Sequence, residues 1–273
     1  MTLREWLQSS RARLPHMTRF DLERLLAERV NMGRAHLLAH LEDPLPEAAA
    51  TQLAADVEAL EKHRPLQYVL GYAYFMDADY EVNENVLIPR FDTEYLVQAV
   101  LDRVEKKEAK VLDLCTGSGI IAISLARART AWQVAASDLS EGALAVAKRN
   151  GARLEVDVEW RLGDLFTPWI GRRFDLVVSN PPYISNDEYV GLSAEVHQEP
   201  RSALVAAHNG LLFYERLTAE SKDFLLPGGW LAVEIGWQQG EAVQELFRQH
   251  DFKEVSCLTD GQGLDRVVVG HRV

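Results

Sequence analysis

The chain reads as an α/β protein, with an open and mostly parallel sheet covered by helices on both faces and a small all-helical domain in front of it. Three observations lead there. From Lys110 onward, short β-branched runs alternate with helical patterns, the arrangement that builds parallel strands joined by crossover helices. Residues 1–72, by contrast, carry helical patterns alone. The last two apolar runs, near Val255 to Leu258 and Arg266 to Val269, have only Thr259 to Leu264 between them. That gap is too short for a parallel crossover and suits an antiparallel hairpin at one sheet edge.

In the helical domain, Thr2 with Glu5 and Thr18 with Asp21 have the spacing of capping boxes, each opening a helix. The second helix sets Phe20, Leu22, Leu25, Leu26 and Val30 near one face. A third helical segment runs from Arg34 to Leu41 and stops at Asp43-Pro44-Leu45-Pro46. A fourth, Glu47 to His63, is alanine-rich with Leu53, Val57 and Leu60 on a stripe. Pro65 suits a first helical turn and Gly71 a helix end. Nothing in these helices carries chemistry, so they read as a docking module for a partner or as a stabilising cap. Residues 73–90 are expected to be a linker hairpin: Tyr72 to Phe75 and Tyr80 to Val82 as its strands, then Val86 to Ile88 as a third short strand. Asp92 or Thr93 is expected to cap the helix through Val104, which opens the domain 91–273.

The sheet domain follows strand by strand. Val111 to Leu114 is a strand, Cys115-Thr116-Gly117-Ser118-Gly119 a turn, and Ile120 to Ala128 a helix apolar on most sides. Gln133 to Ser137 is a second strand ending at Asp138, after which Ser140 caps a helix to Ala152. A third strand, Val156 to Arg161, leads to Gly163-Asp164-Leu165. The fourth, Phe174 to Ser179, is stopped by Asn180-Pro181-Pro182-Tyr183, since neither proline can donate to a ladder. A helix from Leu211 to Leu225, the connector Pro227-Gly228-Gly229, the strand Trp230 to Ile235 and a helix from Gly240 to His250 precede the terminal hairpin.

Composition narrows the function. With 273 residues, 47% apolar and 26% charged, the chain can bury a sizeable core. No apolar stretch approaches the roughly 20 residues needed to span a bilayer, and no secretory leader precedes the first helix. Two cysteines, Cys115 and Cys257, form neither a disulfide framework nor a metal spacing. A cytoplasmic protein without metal is the expectation. Of the net charge of -12, residues 1–72 contribute 9 Lys+Arg against 10 Asp+Glu and the remainder 20 against 31. A catalytic part this acidic lacks the basic footprint of a direct nucleic-acid binder.

Two motifs carry chemistry. In the loop from Asp113 to Gly119, Gly117 and Gly119 let backbone approach a ligand, and the following helix N-terminus favours negative charge. Asp138 ends the next strand, where an acidic side chain can take a pair of ribose hydroxyls. A P-loop is excluded, because no Gly-Lys-Ser/Thr is present. A dinucleotide remains compatible with the spacing, since the small Ala122 stands three residues past Gly119. S-adenosylmethionine, which has a ribose and no pyrophosphate, suits the pattern equally. The second motif is Asn180 to Tyr183. If strands one and four are neighbours, the glycine loop and Asn180 face one crevice. There the Asn180 side chain and the Pro181 carbonyl offer acceptors for an –NH₂ group, and Tyr183 a ring to stack on it. Transfer to a planar amide or amino nitrogen needs such groups, because they orient a poor nucleophile and stabilise charge developing on it. No general base stands out; His197 and Glu199, in the loop that follows, are candidates for support.

Together LDLCTGSGIIAISLA, SNPPYIS, RPLQYVLG, VLIPRFDTEYLV and EVHQEPRSAL resemble the release factor glutamine methyltransferase family over nearly the whole chain. Asn-Pro-Pro-Tyr is shared with adenine amino-methyltransferases, whereas RPLQYVLG, IPRFDTE and GWQQGEAV point to this family in particular. The resemblance implies a Rossmann-like, seven-stranded class I methyltransferase sheet. It further implies S-adenosylmethionine-dependent N5-methylation of the glutamine in the Gly-Gly-Gln motif of peptide chain release factors, with S-adenosylhomocysteine as product. It places the methionine part of the cofactor against Cys115, Thr116, Gly117, Ser118 and Gly119, its ribose on Asp138, and its adenine beside Asp164 and Leu165. Asn180, Pro181, Pro182 and Tyr183 take the glutamine amide, with Asn180 also beside the cofactor, and Arg90 and Phe91 form a lid. Two positions depart from the pattern: members often carry glycine where Cys115 stands, and tryptophan or another apolar residue where Leu165 stands. The expected state is a monomer acting on a protein partner. The competing readings are a related glutamine methyltransferase of a ribosomal protein, an adenine-N6 nucleic-acid methyltransferase, and a nucleotide-binding module without catalysis.

Overall fold

A computed structural model describes residues 1–273. The chain divides into two compact units, Met1–Tyr72 with Ser193–Gln198, and Ala73–Leu192 with Glu199–Val273. The first contains α1 (Leu3–Arg13), α2 (Arg19–Arg29), α3 (Arg34–Ala39), α4 (Glu47–Glu61) and α5 (Leu66–Leu70). Both capping boxes form, with the Thr2 and Thr18 hydroxyls accepting from the Glu5 and Asp21 amides and each carboxylate accepting in return. A cap of this kind is worth about 1 kcal/mol. Leu22, Leu25 and Leu26 pack with Leu53, Val57 and Leu60 in one apolar cluster. Phe20 does not join them; it is 55% exposed, with the Arg34 guanidinium over its ring. Two residues along a helix turn the side chain by about 200°, so Phe20 and Leu22 cannot share a face.

The hairpin of β1 (Tyr72–Phe75) and β2 (Ala78–Glu81) comes next, with the second unit starting at Ala73. Phe75, Ala78 and Tyr80 belong to the apolar cluster of the sheet, and the Tyr80 hydroxyl hydrogen-bonds Ser124 at 3.1 Å. The hairpin is therefore packed into this unit. Val86 to Ile88 form no strand. The Val86 amide donates to Asn83 in a turn and the Ile88 amide to the Glu199 carboxylate, so neither N–H is left for a ladder.

Beyond the hairpin come α6 (Thr93–Arg103), β3 (Lys110–Leu114), α7 (Ile120–Ala128), β4 (Gln133–Asp138), α8 (Glu141–Arg153), β5 (Val158–Leu162) and β6 (Phe174–Ser179). They are followed by α9 (Asn186–Val190), α10 (Arg201–Leu204), α11 (Leu212–Phe224), β7 (Leu225–Glu234), α12 (Gly240–Gln249), β8 (Lys253–Thr259) and β9 (Asp265–His271). Seven strands form one sheet in the order β5-β4-β3-β6-β7-β9-β8. All neighbours are parallel except β9, which runs antiparallel to β7 and β8. Alternate residues of the central strands feed two apolar clusters: Val111, Val134 and Val178 one, Leu112, Ala135 and Val177 the other. Both faces are thus covered, as the continuous apolar runs require.

Two strand starts differ from expectation. β5 begins at Val158 because the Val156 amide is used to close a turn onto Gly151. β7 begins at Leu225 and passes through Pro227-Gly228-Gly229, with an irregularity in its pairing to β6 between Phe174 and Leu176. Gly228, at φ 80, donates to the Arg272 carbonyl and so keeps the edge paired. No helix is long and apolar enough to cross a membrane.

Candidate functional site

The order in which strands are laid down reverses between the parallel neighbours β3 and β6, the place where open α/β sheets leave a crevice at their strands' C-terminal ends. Leu114 and Ser179 are register partners, so the glycine loop and Asn180 leave the sheet side by side. The Ser179 hydroxyl fastens the two strand ends by donating to the Leu114 carbonyl at 2.7 Å. A cavity of about 300 Å³ opens there. Of the expected residues, Arg90, Cys115, Thr116, Gly117, Ser118, Asp138, Asp164, Leu165, Asn180 and Pro182 line it. Gly119, Pro181, Tyr183 and Phe91 are outside the lining. Gly119, at φ 85, lies under the loop, where a β-carbon would come within 3.1 Å of Ile123 and Trp160; Phe91 is exposed.

Buried carboxylates shape the glycine loop. Asp113 is wholly buried and accepts from the Thr116 hydroxyl at 2.5 Å and the Ala122 amide at 3.2 Å, tying the turn to the start of α7. Burial pushes its carboxyl up to about 7. Cys115 holds φ 58, a left-handed conformation that costs a residue with a β-carbon about 1–2 kcal/mol. Glycine would stand there without that cost. Asp138 accepts from the Gly117 amide at 2.9 Å and the Ser140 amide at 2.8 Å. Burial raises its carboxyl, and these amides oppose the shift. The side chain of Asn150 donates to the Ser118 carbonyl at 2.9 Å and pairs with both backbone groups of Glu81. Asp164 is held bidentately by Arg216, at 3.0 and 2.8 Å. Leu165, at φ 42, is buried behind it.

Around Asn180 a polar chain runs into the core. Its Nδ2 donates to Thr93 Oγ1 at 3.1 Å. Thr93 is the first residue of α6 and faces the wholly buried Glu234 at the end of β7. Burial raises Glu234 to about 7, and the Thr93 hydroxyl is the group that most favours its ionised form. The Tyr183 hydroxyl reaches Glu234 Oε1 at 3.4 Å, and its ring is not part of the cavity wall. Gln239 Nε2 donates to the Tyr183 carbonyl at 3.0 Å, and Gly210 approaches that carbonyl so closely that a β-carbon would stand 2.1 Å from it. Glu199 is buried and accepts from the Ile88 amide at 2.9 Å and from the Arg90 guanidinium, which anchors the tract before Phe91. His197 lies in the Ser193–Gln198 segment of the first unit and does not line the cavity.

Sequence reasoning missed Asn150, Arg216 and Glu234, and took Thr93 only as a cap. One signal was available for Glu234: a lone carboxylate ending the apolar run Trp230 to Val233 is an uncommon core residue.

Two family models match the chain, the PrmC N-terminal domain over residues 5–71 and the Methyltransferase small domain over residues 91–214. The release factor glutamine methyltransferase of Moorella thermoacetica is 39% identical over 100% of this chain and 99% of its own length. That of Bordetella pertussis is 42% identical over 91% of this chain and 93% of its own. The chain belongs to the release factor glutamine methyltransferase family. A crystal structure of a methyltransferase from Pyrococcus furiosus is similar in fold, with a TM-score of 0.57 at 17% identity over 82% of this chain and 97% of that one. The seven-stranded sheet of this methyltransferase is therefore the class I methyltransferase fold, with the helical region ahead of it. As a member of the family it is a methyltransferase enzyme.

Proposed function

We propose that this methyltransferase transfers a methyl group from S-adenosylmethionine to the side-chain amide nitrogen, N5, of the glutamine in the Gly-Gly-Gln motif of peptide chain release factors. One observation carries the reading: Asn180 and the Asp138-bound glycine loop line the same cavity, with the Asn180 amide already held from behind by Thr93. The residues fit the cofactor. Asp138 supplies carboxylate acceptors suited to a ribose diol, and Gly117 has nothing within 4 Å of where a β-carbon would stand. Leu139, Ala143 and Leu165 add apolar surface for a purine beside Asp164. When bound, S-adenosylmethionine supplies an electrophilic methyl on a sulfonium.

The chain's own part is orientation and electrostatics. Asn180 Oδ1, on the cavity wall, accepts an amide hydrogen of the substrate, which aims the nitrogen and stabilises the positive charge it develops. Arg90, pinned by Glu199, closes one side of the cavity. The helical unit is the part we assign to engaging the protein substrate. The acidity of residues 73–273 favours a protein over a nucleic acid as the partner, and we expect a cytoplasmic monomer with no metal requirement. Incubation with labelled cofactor and a release factor should label the Gly-Gly-Gln peptide at one glutamine, read by mass spectrometry. Labelling of a ribosomal protein in its place, or no incorporation in a single turnover, would sink the proposal.

A further inference from the structure

We propose that Glu234 is a positioning residue that, acting through Thr93, fixes which way the Asn180 side-chain amide faces. The inference rests on Asn180 being the acceptor clamp. An asparagine amide turned end for end exchanges its carbonyl for –NH₂ with little change of shape, and only the carbonyl can accept a substrate N–H. Thr93 Oγ1, taking a hydrogen bond from Asn180 Nδ2 at 3.1 Å, favours the useful orientation. A hydroxyl alone cannot enforce it, because it donates as readily as it accepts. With its proton free to turn, Thr93 would hold the reversed amide equally well by donating to Oδ1.

Glu234 removes that freedom. An ionised carboxylate only accepts, and Glu234 Oε2 is buried beside the Thr93 hydroxyl with no hydrogen-bond partner in the structure. The Thr93 proton thus has one favourable destination, and the Thr93 lone pairs are left to face Asn180. The chain of donors runs one way, from Asn180 through Thr93 to Glu234. Tyr183 donates to Oε1 of the same carboxylate, so the Asn-Pro-Pro-Tyr element meets Glu234 from both its ends. A buried carboxylate with an unfilled oxygen is costly. Stability alone gives no reason to keep it.

The orientation lock has a pH signature. Glu234 faces Thr93 and Asp92 at the start of α6, Tyr183 after β6, and Arg266 on β9. Burial, with Asp92 adding to it, raises its carboxyl to about 7, while Thr93, Arg266 and Tyr183 oppose. Once protonated it donates to Thr93 and the direction of the chain is lost. Turnover should therefore fall as pH drops through about 7 and be full above it.

The test uses the full-length enzyme with a release factor and saturating cofactor. Glu234→Gln, which carries a permanent donor, and Thr93→Val should each lower kcat by about 10-fold at pH 8, the scale of one lost hydrogen bond, with KM for the release factor unchanged. Thr93→Ser should restore kcat to within about 3-fold, the double variant should be no worse than either single one, and Glu234→Gln should lose the acid limb near pH 7. In the free protein, the Asn180 side-chain amide protons should exchange faster in Thr93→Val than in the wild type. Additive losses, a serine variant as impaired as the valine one, an effect confined to KM, or an unshifted pH profile would overturn the proposal. Thermal melting of each variant excludes simple unfolding. If Asn180→Ala is inactive while Glu234→Gln and Thr93→Val turn over normally, this inference alone falls. If Asn180→Ala is fully active, the clamp itself is wrong.

Discussion

In Asn180→Ala the substrate amide loses the Oδ1 acceptor, and Thr93 Oγ1 loses the N–H that reaches it at 3.1 Å. The two losses differ in size. Thr93 still faces Glu234 and Asn180 is only half-buried, so stability should drop by no more than one neutral hydrogen bond, about 0.5–1.5 kcal/mol. For a unit of this size that lowers the melting temperature by roughly 2–6 °C. Removing one positioned group from a developing charge costs on the order of 100- to 1,000-fold in kcat. The variant should therefore be folded and nearly inactive. Circular dichroism melting reads the first quantity, and single-turnover transfer of a labelled methyl group to a release factor reads the second. A folded variant retaining kcat within about 5-fold of the wild type would refute the clamp. So would a melting temperature so reduced that unfolding accounts for the lost activity.

Three further outcomes follow from named contacts. Asp138→Ala removes the carboxylate that sits on the Gly117 and Ser140 amides and should weaken S-adenosylhomocysteine binding by about 100-fold in calorimetry, roughly 2.8 kcal/mol; unchanged affinity would take the ribose off this residue. Gly210→Ala asks a residue at φ 86 to carry a β-carbon 2.1 Å from the Tyr183 carbonyl, so the backbone must move. We expect a loss of about 1–3 kcal/mol in urea unfolding together with a lower kcat, and a wild-type midpoint would contradict the close approach. In the helical unit, His16, His63 and Glu195 present donor atoms within 4.8 Å of one another. The His63–Glu195 hydrogen bond at 3.1 Å satisfies that pair without an ion, so titration with zinc should give no one-to-one complex. Saturation at one equivalent, abolished by His63→Ala, would show otherwise.

What could be read from the chain beforehand was local. The strand over Phe174 to Ser179 announces itself by the aliphatic run Leu176 to Val178, and the prolines at 181 and 182 say where it must stop. The caps at Thr2, Thr18 and Ser140 are spacing rules that the backbone obeyed. Two of the errors share one cause. Val86 to Ile88 has strand-like composition, yet the Ile88 amide is claimed by a carboxylate 111 residues away, and no window of neighbouring residues contains that fact. Thr93 looked like a cap because it stands at a helix start. Its hydroxyl instead serves Asn180, 87 residues later. The cavity-lining positions of the glycine loop and of Asn180 and Pro182 were legible because they belong to two short motifs. The supports Asn150, Arg216 and Glu234 were not, because each is brought in by the fold, whereas Glu199 is a candidate for support already from its place in the loop after Tyr183.

The Ser193–Gln198 segment gives the helical unit an unusual timetable. Six of its residues are encoded about 120 positions after the rest, so while the chain emerges from the ribosome the first 72 residues must wait for most of the sheet unit before their own unit is complete. Domains generally fold as units, N-terminal first, during synthesis; here the first to appear cannot close until residue 198 has been made. A cut after residue 72 would leave a fragment lacking a piece of itself.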